Sequence, residues 1–290
     1  MMKREHDIDA VIPERTLLDG GMGTALLARG IDLDEHPPEL WNAIYPERVR
    51  EVHEEFVAAG ADAIQTNSFG ASRLRLKARG LADRARELNI AAAALARQAR
   101  PAGSVIGSIG PTGYLPPPEG SADLCELEAT FGEQAAALAE GGVDLLHVET
   151  MAHAKEMRAA IRGARDGAPN LPLAVSMSCK RCGESYATSL GYAAETLIEV
   201  MLEEEVEFAG VNCALGPGDL LDLASRLVET GLPVIAQPTL TPDGAAALHR
   251  SEFATGAQAL FALGVRAVGG CCGTEPADIA AARAVLIEQG

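Results

Sequence analysis

Two adjacent cysteines, Cys271 and Cys272, stand between glycines in the string Val268-Gly269-Gly270-Cys271-Cys272-Gly273-Thr274. Consecutive side chains on an extended strand point to opposite faces. Both thiols reach one point only if the backbone leaves strand geometry there. Gly269, Gly270 and Gly273 permit this, because glycine takes positive φ without steric cost. Such a pair can bind a metal but needs a further soft ligand from elsewhere. Cys213, at the end of the apolar run Phe208-Ala209-Gly210-Val211-Asn212-Cys213, is the candidate. Three thiolates leave one open tetrahedral position, the pattern of a catalytic rather than a closed structural zinc site. Thiolate donors select zinc over magnesium or calcium. The competing interpretation is that each cysteine packs as a small hydrophobe. For Cys213 alone that interpretation is the stronger; for the paired cysteines among three glycines it is the weaker. Cys179 and Cys182 form a C-x-x-C, which suits a redox pair or half of a second metal site, but no second pair completes it. Cys125 falls in a helical pattern and is expected to be packed.

These residues need a scaffold, and the chain supplies a cycle of physical type. A short apolar run ends in glycine or polar residues, a helical pattern follows, and the cycle restarts. Eight runs can be counted, at about residues 16–18, 61–67, 104–110, 143–150, 173–178, 208–213, 233–238 and 267–270. Helices are expected over about 46–59, 72–99, 124–140, 155–165, 194–205, from near 219, over 251–263, and from 276. An irregular polar segment separates the first run from residue 46. Eight strand-plus-helix cycles predict a single-domain (β/α)8 TIM barrel over residues 16–290, after an N-terminal extension of residues 1–15. A doubly wound open sheet is the alternative, weakened because no G-x-G-x-x-G follows the first strand.

In a barrel of this kind chemistry sits where the strands end. The ends here carry Asp19, Asn67, Glu149, Cys213, and Cys271 with Cys272. Asp19 could also be a helix N-cap in a βα loop. Glu149 closing a buried strand is harder to dismiss, since unpaired carboxylates are seldom buried. His147, two residues earlier on the same strand face, is expected to be a satisfied interior histidine. Asn67 either orients a ligand or bonds neighbouring backbone.

Composition bounds the function. Hydrophobic residues make up 48% and aromatics only 4%, so small aliphatic side chains fill the interior, as in a parallel sheet wrapped by helices. A net charge of −17 argues against sequence-independent nucleic-acid binding and against docking on anionic lipid. Residues 1–14 lack the apolar stretch of a secretory signal, and no window is apolar enough for a membrane span. Six cysteines clustered late do not resemble a disulfide framework, so a reducing cytoplasm is the expected location. No strand end carries a lysine for Schiff-base chemistry, which weighs against an aldolase-like barrel.

Six motifs together resemble the homocysteine S-methyltransferase family. They are Leu18-Asp19-Gly20-Gly21-Met22-Gly23-Thr24, Thr66-Asn67-Ser68-Phe69-Gly70, Gly110-Pro111-Thr112-Gly113, Glu149-Thr150-Met151, Val211-Asn212-Cys213 and Gly269-Gly270-Cys271-Cys272-Gly273-Thr274. The resemblance runs from about residue 16 to 288. It implies a Zn2+-bearing barrel in methionine biosynthesis that transfers a methyl group to the thiol of homocysteine, with the zinc-bound thiolate as nucleophile. It implies Cys213, Cys271 and Cys272 as ligands, Asp19 and Glu149 as partners of the substrate ammonium, and the Met22 and Gly23 amides as partners of its carboxylate. The implied small-molecule partners are homocysteine and a methyl donor. A folate donor used through cobalamin would require a separate corrinoid- or folate-binding protein, so a detached homocysteine module of a split methionine synthase is a second expectation. A zinc-stabilised barrel binding another thiol is a third. Two mouth loops depart from the family pattern. Gln237-Pro238-Thr239 replaces an asparagine-alanine-glycine turn, and Ser178-Cys179-Lys180-Arg181-Cys182 replaces a glycine- and threonine-rich loop.

Overall fold

The computed structural model describes residues 6–241 and 248–287. Eight parallel strands form the sheet: β1 Thr16–Leu17, β2 Ala63–Gln65, β3 Ser104–Ile109, β4 Leu145–Met151, β5 Leu173–Met177, β6 Phe208–Asn212, β7 Val234–Gln237 and β8 Ala267–Val268. Neighbours pair in sequence order, and β8 pairs with β1 through Thr16 with Ala267 and Leu17 with Val268. A parallel bridge from Leu18 to Ala63 joins β1 to β2, and so the sheet closes into the expected (β/α)8 barrel. The seam is short, and side chains reinforce it. The Leu17 amide donates to Asp62 Oδ2 at 2.9 Å, and the Gln65 amide to Asp19 Oδ2 at 2.8 Å.

The strands alternate as a pleat requires. Outward residues such as Leu17, Ile64, Val105, Leu146, Val175, Val211, Val234 and Val268 belong to the core between sheet and helices. Inward residues Leu18, Ala63, Ile106, Leu145, Ala174, Phe208, Ile235 and Ala267 form a separate apolar cluster, one from each strand or its immediate end. Ile12, fully buried, joins that cluster from outside the barrel. It follows a helical turn, Ile8–Val11, which Asp7 caps. Ser104 Oγ donates to the Val11 carbonyl at 2.5 Å and Arg266 Nε to the Ile12 carbonyl at 2.6 Å. The residues set aside as an N-terminal extension thus cover the barrel floor. Residues 1–5 and the last three of the expected domain lie outside the described residues.

Several helices fall where the periodicity puts them: Pro46–Ala58, Leu124–Glu140, Ala154–Gly167, Ala194–Glu203, Arg250–Ala262 and Pro276–Ile287. Three local expectations are corrected. The long helix over 72–99 is broken into Arg73–Lys77, a 3-10 turn Ala82–Arg84 and Ala85–Ala99, with Gly80 at φ +68° between the first two. The segment after β1 contains a helix, Met22–Ala28, then a 3-10 turn Pro38–Leu40 and a single turn Trp41–Ile44. The loop after β5 is an antiparallel hairpin, Lys180–Cys182 with Ser185–Ala187, turned at Gly183 with φ +65°. No helix among the described residues is long and apolar enough to cross a membrane.

Candidate metal centre and ligand cavity

The Sγ atoms of Cys213, Cys271 and Cys272 all lie within 4.8 Å of one another, with Cys213 and Cys272 at 3.9 Å. Tetrahedral zinc with Zn–S bonds of about 2.3 Å sets sulfurs roughly 3.8 Å apart. The triangle therefore suits one zinc ion with small adjustments. Among the described residues it is the one cluster of three or more histidine, cysteine or acidic side chains with metal-site spacing.

The backbone reaches this geometry differently from the expectation. Of the three glycines around the cysteine pair only Gly273, at φ +77°, takes the left-handed conformation. Gly269 and Gly270 serve close approach instead. A Cβ on Gly269 would lie 2.7 Å from Leu18 Cβ, and one on Gly270 would lie 2.2 Å from the Thr274 side chain. The cysteine loop is also tied to the β1 loop, because Gly270 N donates to Asp19 O at 2.8 Å and Gly21 N to Thr274 O at 3.0 Å. Cys213 is itself left-handed at φ 60°, followed by Ala214 at φ 47°. A non-glycine residue there costs about 1–3 kcal/mol, a cost retained where the side chain is required.

The triangle opens on a cavity of about 240 Å³. Met22, Gly23, Gln65, Asn67, Ser108, Glu149 and Gln237 line it with the three cysteines, and Glu39 adds a further carboxylate. Among the described residues, no lysine, arginine or histidine is on its wall. Glu149 sits at an irregularity where β4 slips register against β5, next to Thr150 at φ 62°. Its Oε1 accepts from Gln65 Nε2 at 2.9 Å and Ser108 Oγ at 2.5 Å, and its Oε2 accepts from Asn212 Nδ2 at 2.8 Å. Asp19 is 1% exposed but is not on the cavity wall; its Oδ2 carries the β1–β2 seam while Oδ1 is buried without a partner. The N-cap interpretation of Asp19 fails, because Gly21 precedes the helix Met22–Ala28. That helix presents its first amides, including Met22 and Gly23, without intrahelical acceptors.

Other candidates separate from the site. Asn67 is a staple: its Nδ2 donates to Pro38 O at 2.8 Å and Asn42 Oδ1 at 3.0 Å, although it also lines the cavity. His147 is buried and only half satisfied, with Nε2 at 2.6 Å from Ser176 Oγ and Nδ1 unpartnered. Cys179 is buried and Cys182 exposed, and no metal cluster among the described residues includes them. Cys125 is exposed rather than packed, because it lies on the outer face of its helix. The sequence reading did not single out Gln65, Ser108, Asn212 or Gln237 as functional. Their signal was register: each sits an even number of residues past an inward apolar residue of its own strand.

Comparison with known proteins follows the same residues. Positions 16–286 match the family described as homocysteine S-methyltransferase. The chain belongs to the homocysteine S-methyltransferase family. It is 31% identical over 300 residues to a methionine synthase of Mycobacterium tuberculosis, and 28% over 304 residues to one of Mycobacterium leprae. Those matches cover 95% and 96% of this chain but 25% of each relative, so the chain spans about a quarter of their length. Among solved structures it resembles the homocysteine methyltransferase MmuM from Escherichia coli in its metallated form. Identity is 30% and the TM-score 0.75, over 93% of this chain and 95% of that one. The oxidized form of the same enzyme gives 29% and 0.76 with the same coverage.

Electrostatics in this family member set the site apart. Burial pushes the Glu149 carboxyl up to about 7, against hydrogen bonds from Ser108 and Gln65 that favour its charge. Burial likewise raises Asp19 well above the carboxylate range, with the nearby Glu149 charge adding to it. Hydrogen bonds from Cys213 and Cys271 pull the Cys272 thiol down to about 3. Cys271 moves well up through its bonds to Cys213 and Cys272 and through burial. Without a cation, one thiolate is stable and three are not. Among the described residues the cavity wall offers acceptors and acidic groups and no positive side chain, which favours a cationic group on whatever enters.

Proposed function

We propose that this chain transfers a methyl group to the thiol of homocysteine, forming methionine, in a zinc-dependent reaction. The observation that carries the proposal is the Cys213–Cys271–Cys272 triangle opening on the same 240 Å³ cavity as the buried Glu149 carboxylate. Cys213, Cys271 and Cys272 would hold the zinc ion, which when bound lowers the pKa of a fourth thiol and keeps its sulfur electron-rich.

The chain's own residues do the rest. Glu149 on the wall answers the ammonium charge of the amino acid, with Asp19 adding negative charge from behind it; both are raised by burial, and a cation entering the cavity restores their ionised form. Gln65 joins the two, donating its backbone amide to Asp19 and its side-chain amide to Glu149. The Met22 and Gly23 amides at the helix start receive the substrate carboxylate. With both ends of the amino acid fixed, its sulfur is delivered to the cysteine triangle. Only one approach then remains for a methyl carbon in line with its leaving group.

A second reading is favoured by one fact: the chain corresponds to a quarter of a methionine synthase. In that reading it is the homocysteine module of an assembly whose methyl group arrives on a separate corrinoid- or folate-binding protein. One donor panel tests both. Purified protein, analysed for metal, is incubated with homocysteine and each of S-methylmethionine, betaine, S-adenosylmethionine and methylcobalamin, and methionine is measured. Turnover with a small onium donor supports the self-contained enzyme, and turnover with methylcobalamin alone supports the module. A zinc-loaded protein that binds homocysteine yet yields no methionine with any donor is a thiol-binding barrel, and the proposal fails.

A further inference from the structure

We infer that Gln237 is an acceptor for the ammonium group of the amino-thiol substrate, and so a residue that selects α-amino thiols over thiols lacking that group. The inference rests on the homocysteine reading above and assigns a role to the strand end where this chain departs from its family's pattern.

The orientation of every amide around Glu149 follows from donors and acceptors that cannot be exchanged. The Thr150 backbone N–H donates to Asn212 Oδ1 at 2.9 Å, so Asn212 presents its NH2 to Glu149. With Glu149 ionised, as beside a cationic ligand, its oxygens only accept, so Gln65 also presents its NH2 to Glu149 and turns Oε1 toward Gln237. Gln237 Nε2 then donates to Gln65 Oε1 at 2.5 Å, with the Gly270 carbonyl on the same nitrogen at 3.5 Å. Both partners of that nitrogen are acceptors, so the amide cannot be turned over without facing oxygen with oxygen. What remains is Gln237 Oε1, buried and without a partner, on a side chain that is 3% exposed and lines the cavity.

Asp19 Oδ1 is buried and unpartnered in the same way, and Asp19 and Gln237 are both bonded to Gln65. A buried acceptor left without a donor costs about 1–3 kcal/mol. On the cavity wall, Gln237 Oε1 and the Glu149 carboxylate that carries the charge match the N–H groups of an ammonium, with Asp19 behind them. A thiol that lacks the amino group leaves these acceptors unpaired, which is how a polar site rejects an analogue.

The test is calorimetric binding of two thiols to the zinc-loaded full chain: homocysteine, and 4-sulfanylbutanoate, which has the same skeleton without the amino group. Gln237→Leu should weaken homocysteine by about tenfold or more while 4-sulfanylbutanoate changes by less than about twofold. Gln237→Glu, whose protonated carboxyl can donate to Gln65 while its second oxygen accepts, should hold homocysteine within about threefold of the parent protein below the pH at which that carboxyl ionises. If Gln237→Glu under those conditions loses homocysteine as Gln237→Leu does, an acceptor at this position is not what binds the ammonium and the inference is overturned. Equal weakening of both thiols in Gln237→Leu marks a structural role and overturns it as well. A parent protein that binds both thiols alike overturns the ammonium site itself, and one that binds neither overturns the homocysteine reading.

Discussion

The floor and the mouth of this barrel are built by the same strands and share nothing chemically. At the floor the inward positions are Leu18, Ala63, Ile106, Leu145, Ala174, Phe208, Ile235 and Ala267, sealed by Ile12 from below. Two residues further along, the inward positions include Gln65, Ser108, His147, Ser176 and Gln237, all at most 9% exposed. A further two residues bring Glu149, Asn212 and Cys271. The difference is in what each end must satisfy. The floor gains stability from area removed from water, about 25 cal/mol per Å² of apolar surface. The mouth gives up that term, buries acceptors without partners, and holds Thr150, Cys213 and Ala214 at positive φ. A stable floor and a strained, polar mouth in one barrel are what a site that binds a charged ligand requires.

The contrast can be broken most severely at the mouth. Cys272→Ala should lower zinc from one per chain to near none and abolish homocysteine binding while the fold persists, as metal analysis and calorimetry would read. A mutant without zinc that still transfers methyl at the parent rate sinks the mechanism. Glu149→Gln comes next. It should weaken homocysteine by about tenfold to a hundredfold, the range for losing hydrogen bonds to a charged partner. Parent affinity should rise with pH over the interval in which Glu149, raised by burial, ionises, and the variant should lose that step. For stability the sign is opposite. A carboxyl raised from 4.5 to about 7 in the fold stabilises the metal-free protein while protonated, and the contribution is lost as pH rises through about 7. That shift is on the order of 3 kcal/mol, so the variant's denaturation curves should vary less across this range.

At the floor, Ile12→Ala should cost about 2–4 kcal/mol of stability in denaturant titration and leave zinc stoichiometry and homocysteine affinity unchanged. A loss of zinc in that variant would show that the two ends are coupled. The smallest effect is expected from Cys182→Ser. Cys182 is exposed and outside the cysteine triangle, so one zinc per chain and parent stability should be kept. A second zinc that disappears in this variant would make the hairpin a metal site after all.

Much of the architecture was legible because strand and helix differ in period, and eight alternations leave few topologies. The helix Leu124–Glu140 fell within its expected bounds. The segment over 72–99 misled because its alanine and arginine content satisfies helix propensity throughout, while Gly80 and the packing of Leu76 and Leu88 on Leu40 break it into pieces. The hairpin after β5 was missed because its strands are three residues each and mostly exposed, too short for alternation to register. At the site, the three cysteines and Glu149 were legible because thiols and a carboxylate at strand ends have few structural uses. Gln65, Ser108, Asn212 and Gln237 were not, since amides and hydroxyls are common in strands and become informative only when their partners are known.

By itself the sequence determined the residue types, the cycle of eight and the register on each strand, because side-chain alternation is a property of one strand at a time. It thereby decided that one end of the barrel would be apolar and the other polar. The tertiary structure decided which polar groups meet. Sequence separations of 59 residues between Cys213 and Cys272, and of 172 between Gln65 and Gln237, become distances of 3.9 Å and 2.5 Å only when the sheet closes. Closure also decided that Gly269 and Gly270 serve contact rather than turning, and that Gln237 keeps one oxygen without a partner, because those facts depend on atoms from other strands.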